Sequence, residues 1–186
     1  MSHFTKVDTQ IADIEALKKA LEAMGLRLEH NIPCRYYYGQ EVKENVAKLN
    51  GPYDVSFERD SNGTYNINAD FWKGYVEQTI GPNGATLMRS YSIEKLKLET
   101  RKKGYNIQPS GANKFKIFNP TDSSGGYLEA TLDQEGNFSF KAQGFSGSSC
   151  MQFDSLEKSL GATATRKTND FYLEEDQTER LNLMEG

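Results

Sequence analysis

Histidine and cysteine are nearly absent from this chain, with two of each among 186 residues. A four-ligand zinc site could draw on His3, His30, Cys34 and Cys150 by count. Only His30 and Cys34 are close, and the paired short-spacing motifs of zinc sites are missing, so no metal site is expected. An iron–sulfur cluster held by one chain normally takes four cysteines, so no cofactor is expected either. Nothing in the cysteine usage points to secretion, and reduced thiols are the default. Long apolar runs are missing too. None approaches the roughly 20 residues of a membrane helix. The opening Met1-Ser2-His3-Phe4-Thr5-Lys6 lacks the charged-then-apolar layout of a signal peptide. The expectation is a cytoplasm-like location and no membrane partner. A basic excess is also lacking. Lys and Arg number 22 against 26 Asp and Glu, for a net charge of -4. A nucleic-acid binder usually carries the opposite balance. The densest basic cluster, Arg101-Lys102-Lys103, falls at a predicted helix end, where cations suit the dipole. No nucleic-acid partner is expected.

What is present is a polar composition, with mean hydropathy -0.70, and ten Tyr and ten Phe to build a core. Residues 3–8 read as a strand. Ile11, Ile14, Leu17, Leu21 and Met24 recur at helical spacing, and Gly25 is a natural stop. Leu26 to Glu29 alternates like a strand, Pro33 interrupts it, and Arg35 to Tyr38 can resume it. The polar stretch 39–52 reads as a loop with at most one helical turn. The clearest hairpin follows. Tyr53, Val55 and Phe57 form one apolar face and Tyr65, Ile67, Ala69 and Phe71 another, around the turn Asp60-Ser61-Asn62-Gly63. Each strand is expected to wet its other face. Trp72 to Ile80 is ambiguous, and residues 87–103 form a second helix stopped by Gly104. A strand pair over 105–117 leads to the linker-like run Asn119 to Gly126.

Beyond that run, Leu128, Ala130 and Leu132 pair naturally with Phe138, Phe140 and Ala142 around Gln134 to Asn137. A Gly/Ser loop, a helix over 149–160 closed by Gly161, and a strand near Phe171-Tyr172-Leu173 complete the pattern. The fold class is therefore α+β: antiparallel sheets with helices packed on one face, plus a small strand-strand-helix-strand unit. The division is a first domain over 1–119, a linker over 120–126, the small unit over 127–173 and an acidic tail over 174–186. A core of that size is marginal alone, so the small unit is expected to need the first.

The opening Met-Ser-His-Phe-Thr-Lys, the run Asp-Ile-Glu-Ala-Leu-Lys-Lys-Ala-Leu and the hairpin Asp-Val-Ser-Phe…Asn-Gly-Thr-Tyr-Asn-Ile-Asn-Ala-Asp-Phe-Trp together resemble one family. It is the cyanobacterial and plastid hypothetical-frame family "ycf thirty-five", a domain of unknown function, and the resemblance covers residues 1–108. Residues 122–173 are similar to a second, smaller domain of unknown function with a Gly-x-x-Gly-x-x-Cys turn and a helix closing on Leu160-Gly161. The resemblance implies a neighbourhood that includes ferredoxin-like and AAA-type ATPase proteins, hence other proteins as partners. It implies a cytoplasmic or stromal location, leaves a phage source open, and supplies no catalytic residue.

The residues themselves offer three candidate sites. In Gly144-Phe145-Ser146-Gly147-Ser148-Ser149-Cys150, small residues let N–H groups converge at a predicted helix start, which can hold an anion or a thiolate. Cys150 is the candidate reactive thiol, and Gly144, Gly147, Ser148 and Ser149 the candidate ligand loop. The alternative is a tight turn with a small core residue. The loop lacks the lysine of a phosphate-binding P-loop. Tyr36, Tyr37, Tyr38 and Trp72 can form an aromatic patch for a partner, or pack on a sheet edge. Asp54, Glu58, Asp60 and Asp70 border the hairpin and could pair for acid–base work or hold a divalent ion, or simply wet a sheet face. With no complete catalytic constellation, the leading expectation is a non-catalytic interaction or assembly factor. The alternatives are a thiol-based or redox-linked enzyme component using Cys150 and a metal-dependent activity at the hairpin carboxylates.

Overall fold

A computed structural model describes residues 3–7, 10–145, 151–161 and 165–167. In chain order its elements are β1 (His3–Val7), α1 (Ile14–Ala23), β2 (Leu28–Tyr36), β3 (Gly39–Ala47), β4 (Val55–Arg59), β5 (Tyr65–Ala69), α2 (Glu77–Ile80), α3 (Ala85–Lys102), β6 (Asn106–Gly111), β7 (Lys114–Phe118), β8 (Tyr127–Leu132), β9 (Phe138–Gln143), α4 (Asp154–Ser159) and β10 (Thr165–Lys167). Short 3-10 turns at Trp72–Gly74 and Pro82–Gly84 flank α2. All strand pairs are antiparallel, in a sheet of order β2-β3-β4-β5 and a sheet of order β10-β1-β9-β8-β7-β6. The α+β class holds. The chain divides into two compact units. One comprises 9–95 with 134–136, and the other 1–8, 96–133 and 137–186.

In the first unit, α1 begins where Asp13 accepts hydrogen bonds from the Glu15 and Ala16 N–H groups at 3.0 and 3.2 Å. It ends at Gly25, whose φ of +75° lets Leu26 N–H return to the Leu21 carbonyl at 2.8 Å. Ala16, Leu17, Ala20 and Leu21 form its buried stripe. The Tyr91 hydroxyl of α3 accepts from the Ala12 and Asp13 N–H groups at 3.0 and 3.1 Å, which anchors the entry to α1. The predicted turn at 60–63 is present: Asp60 accepts from the Asn62 and Thr64 N–H groups and from the Thr64 hydroxyl. Its strands pair Phe57 with Ile67.

Two expectations about this unit are corrected. The polar stretch read as a loop over 39–52 is largely strand β3. Its first half is exposed and lacks an apolar alternation, so only its backbone pairing to β2 and β4 makes it a strand. Pro33 does not interrupt β2, because β2 is an edge strand, where a missing N–H donor is tolerated.

The second unit shows the clean alternation of a half-buried sheet. Ile117, Leu128, Ala130, Leu132, Phe138, Phe140 and Ala142 are buried, and the residues between them are not. Ile117 lies opposite Leu128, and Ala130 opposite Phe140. Phe153 and Leu156 around α4 are fully buried. Here the sequence-based division is corrected. Residues 119–126 connect β7 to β8, which are neighbours in one sheet, and β9 pairs with β1 at the start of the chain. Gly and Ser in that stretch build a turn rather than separate domains: Ser124 N–H donates to Asp122, and Gly126 N–H to the Ser124 hydroxyl.

Candidate functional site

The hairpin β2–β3 closes Tyr36 against Gly39, which leaves Tyr37 and Tyr38 as its two-residue tip. Tyr38 is 96% exposed and Tyr37 50%. The Tyr37 ring lies 4.7 Å from that of Tyr38 and 5.0 Å from that of Trp72, which is itself 47% exposed. Asp70 makes this arrangement definite. Its carboxylate accepts from the Tyr37 N–H and the Trp72 N–H, each at 3.0 Å, and so ties the hairpin tip to the 3-10 turn after β5. The Lys73 ammonium sits 4.2 Å from the centre of the Trp72 ring. Phe71 and Tyr75 extend the exposed apolar surface. Phe71, expected on the apolar face of the hairpin, is exposed because β5 ends at Ala69, while Tyr75 and the linking role of Asp70 are not marked by the hydrophobic pattern. The one available signal was an Asp two residues before a Trp, the spacing of an Asx turn.

Tyr36 does not join this surface. Its hydroxyl is 2.9 Å from the Ser56 hydroxyl, and burial pushes its pKa up to about 12. Cys34 beside it is fully buried, and burial pushes its thiol up as well.

Below the tip lies an ionic hub. Asp54 is fully buried, contrary to the wet face expected for it. Arg35 donates Nε to Oδ2 at 2.9 Å and Nη2 to Oδ1 at 2.6 Å, and Lys48 donates to Oδ2 at 2.9 Å. The N–H groups of Arg35 and Leu49 also donate to this carboxylate. Burial alone would raise its pKa, but the Arg35 and Lys48 bonds outweigh it and hold the group at about 2. Lys48 also donates to the Pro33 carbonyl. The hub joins β2 to the chain ahead of β4 and fixes the base of the aromatic hairpin.

The other hairpin carboxylates are engaged separately. Glu58 pairs with Lys43 at 2.8 Å, Asp60 closes its own turn, and Asp70 holds the aromatic tip. Among the described residues, no three His, Cys, Asp or Glu side chains are grouped to hold a metal ion. The four carboxylates that the sequence offered as one cluster are thus distributed over four structural tasks.

Gly147, Ser148, Ser149 and Cys150 lie outside the described residues. A 3-10 turn occupies 151–153, and α4 starts at Asp154 with Phe153 at its N-cap. The buried Phe153 sets this start: its ring packs 5.2 Å from Tyr105 and 5.8 Å from Phe145. The flanks are held by the connection the sequence read as a linker. Gln152 donates to Asp122 at 2.6 Å and accepts from Asn119 at 2.5 Å. Gly144, at φ +74°, passes against the Gly126 backbone.

These features define a class: an antiparallel α+β protein with an aromatic-tipped hairpin braced by a buried carboxylate. The chain is 31% identical over 109 residues to the uncharacterized protein ycf35 of Cyanophora paradoxa, a match covering 56% of this chain and 83% of that protein. The chain belongs to the ycf35 family. No family model matches it, and no solved structure matches it. Among the described residues no helix is long and apolar enough to cross a membrane.

Proposed function

We propose that this chain is a non-catalytic interaction protein that docks partner proteins through Tyr37, Tyr38 and Trp72. The observation that supports this reading is the pairing of exposure with fixed geometry at the tip. Three large rings stand about half or more in water, which costs solubility, yet Asp70 holds the backbone beneath two of them. Ordering an aromatic anchor before contact lowers the entropy lost on binding. Tyr and Trp in such settings commonly carry most of an interface's energy, about 2 kcal/mol or more each. By resemblance, the partners to try first are the AAA-type ATPase and ferredoxin-like proteins of the family's neighbourhood.

The test compares the intact protein with a Tyr38→Ser/Trp72→Ala double variant in affinity purification with mass spectrometry. The reading requires proteins that are retained by the wild type and lost by a double variant of unchanged melting temperature. Trp72 is the sole tryptophan, so its emission should shift to the blue when a purified retained protein is added. Identical retained sets, or an unmoved emission, would overturn the reading.

A further inference from the structure

We propose, resting on the docking reading, that the aromatic tip receives an arginine side chain of its partner protein, which takes the place of Lys73 over the Trp72 ring. Trp72 already holds a cation, because the Lys73 ammonium lies 4.2 Å from the ring centre. Lys73 reaches that position from an unfavourable backbone, at φ +55° and ψ +15°. Gly74 follows at φ +70°, and two successive left-handed residues turn the chain sharply. Asp70 lies three residues before Lys73 and Glu77 four after it, yet among the described residues none of the three makes an ion pair. The ring face therefore attracts a cation on its own account.

Little positive charge nearby would turn an incoming cation away. Arg35 and Lys48 are consumed by Asp54, and Lys43 by Glu41 and Glu58. Lys73 is the sole basic residue between Asp70 and Glu77, and it moves off when its place is taken. What then remains is two carboxylates and three exposed rings, a surface complementary to positive charge. Asp70 accepts from the Tyr37 and Trp72 N–H groups, and Glu77 has only a long contact of 3.4 Å from the Asn83 N–H. The Tyr37 and Trp72 rings are inclined at 59°, so no parallel Tyr37 ring covers the Trp72 face. Guanidinium suits this surface better than the resident ammonium. It is planar, weakly hydrated and stacks on aromatic faces while its edge N–H groups stay available to carboxylates. An apolar side chain would use the rings but leave both carboxylates without a counter-charge.

The test follows the indole N–H resonance of Trp72, the sole tryptophan, in the full chain by NMR. Capped heptapeptides of Gly and Ser carry one central residue, which is arginine, citrulline, lysine or glutamate. The arginine peptide should shift the resonance saturably. It should bind about threefold or more tighter than its citrulline twin, which keeps the shape without the charge. The lysine peptide should bind more weakly than arginine, and the glutamate peptide should leave the resonance in place. Lys73→Asn, which tolerates the left-handed backbone, should tighten arginine binding about two- to fivefold by removing the resident cation. Lys73→Ala should do the same and serves if the first variant folds poorly. Equal binding of the arginine and citrulline peptides, a preference for glutamate, unchanged or weaker arginine binding in both Lys73 variants, or no saturable shift would each overturn the proposal. Retention of partner proteins is a separate measurement, which decides the docking reading whether or not arginine is the group received.

Discussion

Arg35 grips Asp54 with two parallel hydrogen bonds, at 2.9 and 2.6 Å, although the carboxylate is wholly buried and the Arg35 side chain is 39% exposed. Planar guanidinium geometry suits this bidentate contact, which Lys48 reinforces from another side. The pair converts a charged strand residue into a core element. It also sets how the unit responds to acid.

Because the folded pKa of Asp54 is held at about 2, below its ordinary 3.8, its contribution to stability is complete above the ordinary value. It is lost as the pH falls through about 2. An acid titration followed by circular dichroism should therefore show a stability loss in this window that Asp54→Asn removes, at the cost of lower stability at neutral pH. Arg35→Met should cost about 2–3 kcal/mol, less than the roughly 3–5 of a fully buried pair, because Arg35 is partly solvated and Lys48 remains. Urea melts measure it, and an unchanged midpoint would show the clamp to be dispensable.

The Cys34 thiol should be inert in the native state. It is fully buried and its pKa is raised by that burial. In a Cys150→Ser variant, iodoacetamide at neutral pH should label Cys34 only after denaturant is added. Rapid native labelling would mean that β2 opens readily from its sheet.

Tyr91→Phe should destabilise the protein by about 1–3 kcal/mol, since it leaves two backbone N–H donors at the start of α1 without their acceptor. The ring volume is conserved, so packing contributes little. Thermal melts of the two proteins decide it.

Thr100→Val should have the opposite sign. The Thr100 hydroxyl is buried without a hydrogen-bond partner among the described residues. An isosteric methyl removes the desolvation cost and should be neutral or stabilising by up to about 1 kcal/mol. A clear loss of stability in urea would reveal a partner for this hydroxyl.

A fragment of residues 121–186 should fail to fold. It retains β8 and β9 but lacks β7, which pairs Phe115 with Ala130, and β1, which pairs Thr5 with Phe140. Both strands would expose edges, and an isolated hairpin is marginal in water. Amide dispersion by NMR is the readout, and a cooperatively melting fragment would contradict the single-sheet account.

Much of the local structure is written in the sequence. Ala16, Leu17, Ala20 and Leu21 bury because their spacing puts them on one helix face. The strands around Asp60-Ser61-Asn62-Gly63 and around Gln134 to Asn137 follow from alternation and turn chemistry within a few residues. The Tyr36 to Tyr38 run was visible as a candidate surface, and family membership was legible in the opening and the β4–β5 hairpin. Each of these signals is carried by neighbouring side chains.

Only the tertiary structure decided the rest. Strand β3 is polar, and nothing local marks it, because backbone groups pair without regard to side-chain identity. The joining of β1 to β9 spans most of the chain and has no periodicity to announce it. Asp54 reads as a solvated strand residue until Arg35 and Lys48 arrive from elsewhere to neutralise it. Tyr36 and Tyr37 are adjacent in sequence, yet one turns inward to Ser56 and the other outward to Trp72. That choice belongs to Asp70 and to the closing of the hairpin, contacts between residues some thirty positions apart. A sequence displays which side chains favour water. Which of them must leave it depends on what the rest of the chain brings to meet them.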